Sequence, residues 1–110
     1  MAYLIKKNRK YLGNGQFTEI VVYEIPRTQD FPQGLKYSMS FIRKGKCILR
    51  YDNEKTKGHH MHLNGKEIPI EFIGIDTLIE DFESHVEKIR GVFDETSQSD
   101  NQDWITSWRP

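Results

Sequence analysis

Two Asn-Gly dipeptides, at residues 14–15 and 64–65, constrain the fold of this chain more than any other feature of its sequence. Asn-Gly favours a two-residue β-hairpin turn because both residues readily adopt the positive φ angles that this turn requires. After the first dipeptide, residues 16–25 are rich in β-branched and aromatic side chains, which are typical of strands. The sequence therefore predicts a hairpin between residues 3–12 and 16–25.

The second dipeptide predicts another hairpin, between residues 59–63 and 66–72, and fixes its register. With a two-residue turn, Leu63 lies opposite Lys66 and the pairing continues outward one residue at a time. The two faces of the hairpin then differ in polarity, because side chains alternate along a strand. The apolar face is expected to hold Met61, Leu63, Ile68, Ile70 and Phe72, and the polar face His60, His62, Glu67 and Glu71. Because Pro69 has no N–H to donate, its strand must be an edge strand or carry a bulge.

Two further strands are indicated between the hairpins. Over residues 36–41, apolar and polar side chains alternate at the period of a half-buried strand. After a turn at Lys44-Gly45, the alternation over residues 46–52 predicts a strand with two distinct faces. One of these faces is expected to hold Cys47, Leu49 and Tyr51, and the other Ile48, Arg50 and Asp52.

The pattern becomes helical from Asp76, which is predicted to be the N-cap. Apolar residues then recur at three- and four-residue spacing, at Leu78, Ile79, Phe82, Val86, Ile89 and Phe93. His85 falls within this helix, so we interpret it as structural or solvent-facing rather than catalytic. The predicted fold class is α+β, an antiparallel sheet of about five to six strands with a C-terminal helix packed on one face.

Chain length and composition limit the domain organisation. A chain of 110 residues that is 36% hydrophobic and 29% charged can form one compact domain with a modest core. We expect this α+β domain to span residues 1–93. Residues 94–110 are polar and acidic apart from Trp104 and Trp108, which predicts a flexible tail and leaves open a partner-docking role for the two tryptophans.

Cysteine usage and the N-terminal residues point to the cytoplasm. Cys47 is the only cysteine, so the chain cannot form an internal disulfide. The apolar stretch at residues 1–5 is too short for a signal peptide or a membrane span. We therefore expect a cytoplasmic protein that does not associate with a membrane.

The zero net charge conceals an uneven distribution of charge along the chain. Residues 1–66 contain 13 Lys and Arg against 5 Asp and Glu, whereas residues 67–110 contain 3 against 11. A basic surface formed by the first part would attract phosphates, and the acidic part would repel nucleic acid or bind a basic partner. Ordinary solvated faces explain the same distribution equally well.

Three of the four histidines stand within residues 59–62, as His59, His60 and His62. The unperturbed pKa of histidine, about 6.5, suits proton transfer near neutral pH. The alternation places His60 and His62 together on the polar face, with Glu67 as a cross-strand neighbour that can orient an imidazole ring. The candidate catalytic residues are His60, His62, Arg50, Asp52 and Glu67. The candidate substrate-binding residues are Lys36, Lys55, Lys57 and Tyr51.

An open, partly basic sheet face with two imidazoles and a guanidinium is suited to binding and cleaving RNA. Metal-independent cleavage needs a base for the 2′-hydroxyl proton, an acid for the leaving oxygen and a cation for the charge on phosphorus. His60 and His62 can supply the base and the acid, and Arg50 or Lys57 the cation. On this interpretation RNA is a partner, and no cofactor or metal is needed.

Other interpretations of the same residues remain open. His-x-His on a strand can bind zinc or another transition metal, with Asp52 or Glu67 as a third ligand, which would make the protein a metal-dependent hydrolase. The histidine cluster can instead be wholly structural, and Tyr51 can belong to the core. The open face can also belong to a nonenzymatic module that binds nucleic acid or a protein.

Several segments of the chain form a longer pattern. They are Tyr51-Asp52-Asn53, Lys57-Gly58-His59-His60-Met61-His62, Gly65-Lys66-Glu67, Glu71-Phe72, and Leu78 with the acidic and apolar helix around Asp81-Phe82. This pattern resembles the TumE family of small toxins from Tyr11 to Val86, and the Tyr-Asp-Asn and His-x-His segments are its most specific part. The resemblance implies a growth-inhibiting toxin that is neutralised by an antitoxin with a helix-turn-helix DNA-binding domain. Ribonuclease activity is suspected for such toxins. Separately, we expect that the chain can form a homodimer.

Overall fold

The computed structural model describes the backbone of residues 1–95 and the side chains of residues 1–92. Within these residues, six strands form one antiparallel sheet in which each strand pairs with its neighbour in the chain. The strands are β1 (Tyr3–Gly13), β2 (Gln16–Glu24), β3 (Leu35–Arg43), β4 (Lys46–Glu54), β5 (Gly58–Leu63) and β6 (Lys66–Pro69), and the helix α1 (Ile75–Glu95) follows them. The predicted α+β class is confirmed. The chain divides into a sheet unit, Met1–Glu71, and a second unit that begins at Phe72.

Both Asn-Gly dipeptides form the tight turns that the sequence predicts. Asn64 and Gly65 have φ angles of 51° and 78°, and the first dipeptide is similar. Positive φ at both central residues is the signature of the type I′ turn, which matches the twist of the two strands that it joins. The register between β5 and β6 is also the predicted one, starting from Leu63 opposite Lys66.

The last strand is shorter than predicted. β6 ends at Pro69, so the expectation that residues 70–72 continue its two faces is wrong. Pro69 has no N–H to donate, and one further backbone bond to β5 follows it, from the Ile70 N–H to the His59 carbonyl at 3.1 Å. The proline thus lies on an edge strand of the sheet, which is one of the two positions predicted for it.

A bulge in β4 overturns one of the predicted faces. Phe41 of β3 pairs with Leu49 of β4. The next residue of β3, Ile42, pairs with Cys47, which leaves Ile48 as an extra residue in β4. An extra residue reverses the alternation of side chains beyond it. Cys47 therefore lies on the face opposite to Leu49, and the prediction that the two share a face is wrong.

One face of the sheet is apolar and buried. Its fully buried side chains come from β2 to β5 and are those that the alternation selects, namely Ile20, Val22, Tyr37, Met39, Phe41, Leu49, Tyr51, Met61 and Leu63. Cross-strand pairing sets them in rows, so that Tyr51 pairs with Met39 on one side and with Met61 on the other. Burying one such side chain stabilises the folded state by ~1.5–3 kcal/mol. The polar side chains of the same strands are thereby directed to the opposite face.

The helix α1 has a buried stripe at the spacing that the sequence predicts. The stripe consists of Leu78, Ile79, Phe82, Val86 and Ile89. At the start of the helix, the Gly74 carbonyl accepts the Leu78 N–H at 3.0 Å. Asp76 is therefore already within the first turn, where its negative charge suits the helix dipole, and the prediction that it is the N-cap is wrong.

His85 is fully buried in α1. Burial disfavours the charged imidazolium and lowers the pKa of His85 from 6.5 to about 4. The ring is therefore neutral at neutral pH. This position agrees with the structural role predicted for His85 and excludes the solvent-facing alternative.

Some predictions about the C-terminal part stay predictions. Helix α1 extends to Glu95, two residues past the predicted domain boundary at residue 93. Trp104 and Trp108 lie outside the described residues, as does most of the predicted tail. The packing of α1 on one face of the sheet also stays a prediction. In the part of the chain that the structure describes, no helix combines the length and apolar character needed to span a bilayer.

Candidate functional site

The polar face of the sheet brings the candidate residues together in two cross-strand rows. One row consists of Ser40, Arg50, His62 and Glu67, and the other of Ser38, Asp52, His60 and Pro69. Cross-strand neighbours have Cβ atoms ~5 Å apart, and the two rows are about 7 Å apart along each strand. We call this surface the histidine face. It unites both predicted histidines with the predicted guanidinium and both predicted carboxylates.

Asp52 is the central group of the histidine face. Its Oδ1 lies 3.3 Å from Nε2 of His62, and its Oδ2 lies 3.1 Å from Nε of Arg50. The Asp52 side chain is only 5% exposed, so its charge is compensated chiefly by these two partners. Because a carboxylate only accepts, Nε2–H of His62 donates to it, and neutral His62 carries its lone pair on Nδ1. Asp52 thus fixes both the orientation and the tautomer of His62.

His60 is oriented by different groups. Its Nδ1–H donates to the carbonyl oxygen of Gly58 at 3.1 Å, which leaves Nε2 as the nitrogen that can exchange a proton. This Nε2 lies 3.6 Å from Oε1 of Glu67. The His60 side chain is 12% exposed, against 35% for His62. Glu67 therefore contacts His60, its diagonal neighbour, rather than His62, which is directly opposite in the register.

His59 lies on the other face of β5, as the alternation predicts. Its Nδ1 accepts the Tyr37 hydroxyl at 2.8 Å, and its Nε2–H donates to Oε1 of Gln33 at 3.2 Å. The rings of His59 and Tyr37 also stack, with centroids 5.7 Å apart. Burial lowers the pKa of His59, and the neighbouring His60 lowers it further. His59 is therefore a neutral ring in a structural network.

The Tyr51-Asp52-Asn53 segment gives its three side chains three different positions. Asp52 belongs to the histidine face. The Asn53 side chain bonds to the backbone of β3 beyond the last backbone pair of β3 and β4, Ser38 with Asp52. Its Oδ1 accepts the Tyr37 N–H at 3.0 Å, and its Nδ2 donates to the Leu35 carbonyl at 2.7 Å. Tyr51 is fully buried on the apolar face. That position favours the core role for Tyr51 over contact with a substrate.

The three candidate lysines lie at different positions around the histidine face. Nζ of Lys57 is 3.5 Å from the Glu67 carboxylate, which places it beside the histidines. Lys36 donates to the backbone carbonyl of Asn53. Lys55 is exposed in the loop between β4 and β5. Of the three, Lys57 is placed best to meet a phosphate group near the imidazoles.

Glu54 is a further carboxylate of this region, and it is not among the candidate residues selected from the sequence. One ligand atom from each of Asp52, Glu54 and His62 lies within 4.8 Å of the others. These three side chains line a depression of about 340 Å³. Two carboxylates and an imidazole suit a divalent metal ion, but this group of described residues does not include His60. The alternation along β4 was the signal for Glu54, since it stands two residues after Asp52.

Comparison with known proteins gives one family match. A family model described as Toxin TumE matches residues 4–90 of the chain. This span is well over half of the chain and contains both rows of the histidine face. No curated protein and no solved structure matches the chain. The match agrees with the resemblance carried by the Tyr-Asp-Asn and His-x-His segments.

Proposed function

This chain belongs to the TumE toxin family, and we propose that it acts as a ribonuclease in which His62 and His60 form an acid–base pair. Family membership implies that the chain is the toxin of a toxin–antitoxin pair and that it has an antitoxin partner. The observation that carries the chemical proposal is the arrangement of the two imidazoles. Each is held by an oxygen acceptor at one ring nitrogen and has the other nitrogen left for proton transfer.

We assign His62 the role of general base. Asp52 binds its Nε2–H at 3.3 Å, so the lone pair on Nδ1 accepts the proton of the RNA 2′-hydroxyl. The imidazolium that results is stabilised by the adjacent, buried Asp52 carboxylate. The 2′-oxygen, freed of its proton, forms a bond to the neighbouring phosphorus atom.

We assign His60 the role of general acid. When protonated, its Nε2 donates a proton to the 5′-oxygen as the bond between this oxygen and phosphorus breaks. Glu67, 3.6 Å from Nε2, stabilises the protonated ring, and the Gly58 carbonyl keeps the ring in position. One histidine gains the proton that the substrate loses and the other returns one, so the reaction yields a 2′,3′-cyclic phosphate and a 5′-hydroxyl.

Arg50 and Lys57 are the proposed phosphate ligands. Asp52 binds Arg50 through Nε, while the Arg50 side chain is 48% exposed and accessible to an anion. Lys57 is 53% exposed on the other side of the histidines, beside Glu67. Cations at these two positions stabilise the charge that develops on phosphorus. The more distant Lys36 and Lys55 are proposed to bind the RNA backbone.

The remaining parts of the proposal concern the partner and the setting. We propose that the antitoxin has a helix-turn-helix domain and that the pair acts in the cytoplasm, where the RNA substrate is. The helix-turn-helix domain is what the family resemblance implies. The single cysteine, Cys47, supports a reducing compartment. Light scattering of the purified chain tests the expected homodimer, because it reports the mass in solution.

Growth and RNA integrity test the ribonuclease proposal. Cells that express the chain without its antitoxin are compared with cells that express His60→Gln or His59→Gln. His59 is the matched control because it is the adjacent residue, of the same type, on the opposite face of β5. We expect the wild type and His59→Gln to arrest growth and cleave RNA, and His60→Gln to do neither. Growth arrest without RNA cleavage would favour the nonenzymatic binding module instead.

A metal-dependent hydrolase is the second candidate, and the Asp52, Glu54 and His62 group favours it. A divalent ion held there would supply Lewis-acid stabilisation of a phosphoryl oxygen. The two candidates differ in their response to EDTA and to Glu54→Gln. We expect RNA cleavage to survive both treatments. Loss of cleavage in EDTA, with recovery on addition of a divalent metal, would replace the acid–base proposal with the metal-dependent one.

A further inference from the structure

Strand β1 forms one edge of the sheet, and no strand of the described residues lies against its outer side. With 11 residues at ~3.3 Å each, this edge is about 36 Å long. The outer edge of a strand presents backbone N–H and C=O groups with which another strand can pair. The opposite edge, β6, has only 4 residues and ends in a proline. Of the two edges, β1 is the one that can accept a partner strand along its length.

The side chains of β1 are unusually apolar for an exposed strand. Seven large apolar side chains are exposed in the part of the chain that the structure describes, and four of them are Tyr3, Leu4, Ile5 and Tyr11 of β1. Their exposed fractions range from 53% to 73%. Apolar side chains concentrated on an open edge strand indicate an interaction surface, since an uncovered edge of this kind promotes aggregation.

The same strand is basic and has no acidic residue. Arg9 is already bound, because its guanidinium contacts the Glu19 carboxylate at 2.9 Å and lies over the Phe17 ring. By contrast, none of the lysines of β1 forms a salt bridge with another described residue; these are Lys6, Lys7 and Lys10. Pairing of two copies of β1 would set like charges side by side, which is unfavourable. Charge repulsion therefore disfavours the pairing of β1 with a second copy of itself, and charge attraction favours its pairing with an acidic strand.

The lysines stand on both faces of β1. Lys6 pairs with Val22, a buried residue of the apolar face, and Lys10 has the same orientation. Lys7 pairs with Val21, on the face that also carries the histidines. An added strand would meet lysine side chains above and below the sheet. A well-matched partner segment is thus extended and has acidic side chains on both of its faces.

We propose that the outer edge of β1 binds an extended, acidic segment of the antitoxin, which adds a seventh strand to the sheet. Backbone hydrogen bonds would hold this segment, the lysines would select its acidic side chains, and the exposed apolar side chains of β1 would be covered. Strands β2, β3 and β4 separate β1 from β5, the strand that carries His60 and His62, so the edge lies about 19 Å from the histidine pair. The proposal rests on family membership and is independent of ribonuclease activity.

Charge reversal tests the contribution of the lysines. The purified chain with Lys6→Glu, Lys7→Glu and Lys10→Glu is compared with the wild type in binding to the antitoxin encoded by the neighbouring gene. The control variant carries the same change of charge at three exposed lysines of other hairpins, Lys44, Lys46 and Lys66. We expect the β1 variant to bind at least about tenfold more weakly than the control. Equal affinities, with both variants folded by circular dichroism, would overturn the proposal.

Hydrogen exchange of the complex tests strand addition itself. We expect the backbone amides of residues 3–13 to exchange more slowly once the antitoxin is bound. Protection confined to other parts of the sheet would overturn the proposal. So would protection of residues 3–13 in the toxin alone at high concentration, which would assign the edge to a second copy. Loss of RNA cleavage with unchanged antitoxin affinity in the β1 variant would instead assign the lysines to RNA.

Discussion

His59 and His60 are consecutive residues, yet the two faces of β5 place them in opposite surroundings. His59 is held between a hydroxyl and an amide, those of Tyr37 and Gln33. His60 faces the carboxylate of Glu67 and shares its surface with the Asp52–His62 pair. Neutral partners hold a neutral ring, whereas a carboxylate stabilises the imidazolium state that acid–base chemistry requires. The face of the strand thus decides which of the two histidines is placed for the proposed acid–base chemistry.

The largest effect is expected from changes on the histidine face. His60→Ala and His62→Ala should each lower the rate of RNA cleavage ~10²–10⁴-fold, because each removes a positioned acid or base. The double variant should lose little more than either single variant, since both groups act in the same transition state. Initial rates on a purified RNA measure these effects. A His59→Ala variant that loses as much activity as the other two would contradict the claim that the chemistry belongs to one face of β5.

The next effect concerns stability and comes from His85, a second neutral histidine. The pKa of His85 is about 4 in the folded chain and 6.5 in the unfolded chain. Between these values the unfolded chain binds a proton that the folded chain does not, so stability is full above pH 6.5 and falls as the pH decreases toward 4. The loss should be on the order of 3 kcal/mol. Urea denaturation across this range measures it, and a His85→Leu variant should show a weaker pH dependence.

A smaller loss of stability is expected from Asp52→Ala. The buried carboxylate is shared by Arg50 and His62, so its removal should lower the free energy of unfolding by about 1–3 kcal/mol. Rehydration of the half-exposed Arg50 limits the loss. The matched control is Ser38→Ala, which removes the neighbouring polar side chain of the same row. Urea denaturation of both variants measures the difference, and equal stability would mean that Asp52 does not organise this face.

The smallest effect is expected from Tyr37→Phe. This change removes the hydroxyl that donates to His59 and should cost about 1 kcal/mol of stability. RNA cleavage should be unchanged, because the bond lies on the opposite face from the proposed chemistry. A loss of activity as large as that of His60→Ala would show that the two faces are coupled.

The β5–β6 part of the histidine face was predictable because one turn fixes it. The Asn64-Gly65 turn permits a single register, and a register assigns every side chain of the hairpin to a face. His60 and His62 were therefore correctly placed beside Glu67. The two positive φ angles at the turn are the local physical reason why the prediction was confirmed.

Other features of the site depend on more than a local pattern. The extra residue Ile48 leaves no signal in the alternation, so the reversed orientation of Cys47 could not be predicted. Gln33 reaches His59 from a loop 26 residues away, and only the folded chain brings them together. Asp52 is buried and lies close to Glu54 because of how neighbouring strands place their side chains, which a local pattern does not show either.

The chemical ends of the RNA fragments test the central claim most directly. Purified wild type is incubated with RNA in the presence of EDTA, and the termini of the products are identified. If His62 and His60 act as base and acid on the 2′-hydroxyl and the 5′-oxygen, the fragments carry 2′,3′-cyclic phosphates and 5′-hydroxyls. Fragments with 5′-phosphates, or no cleavage in EDTA by a protein that cleaves RNA when a divalent metal is present, would contradict the account.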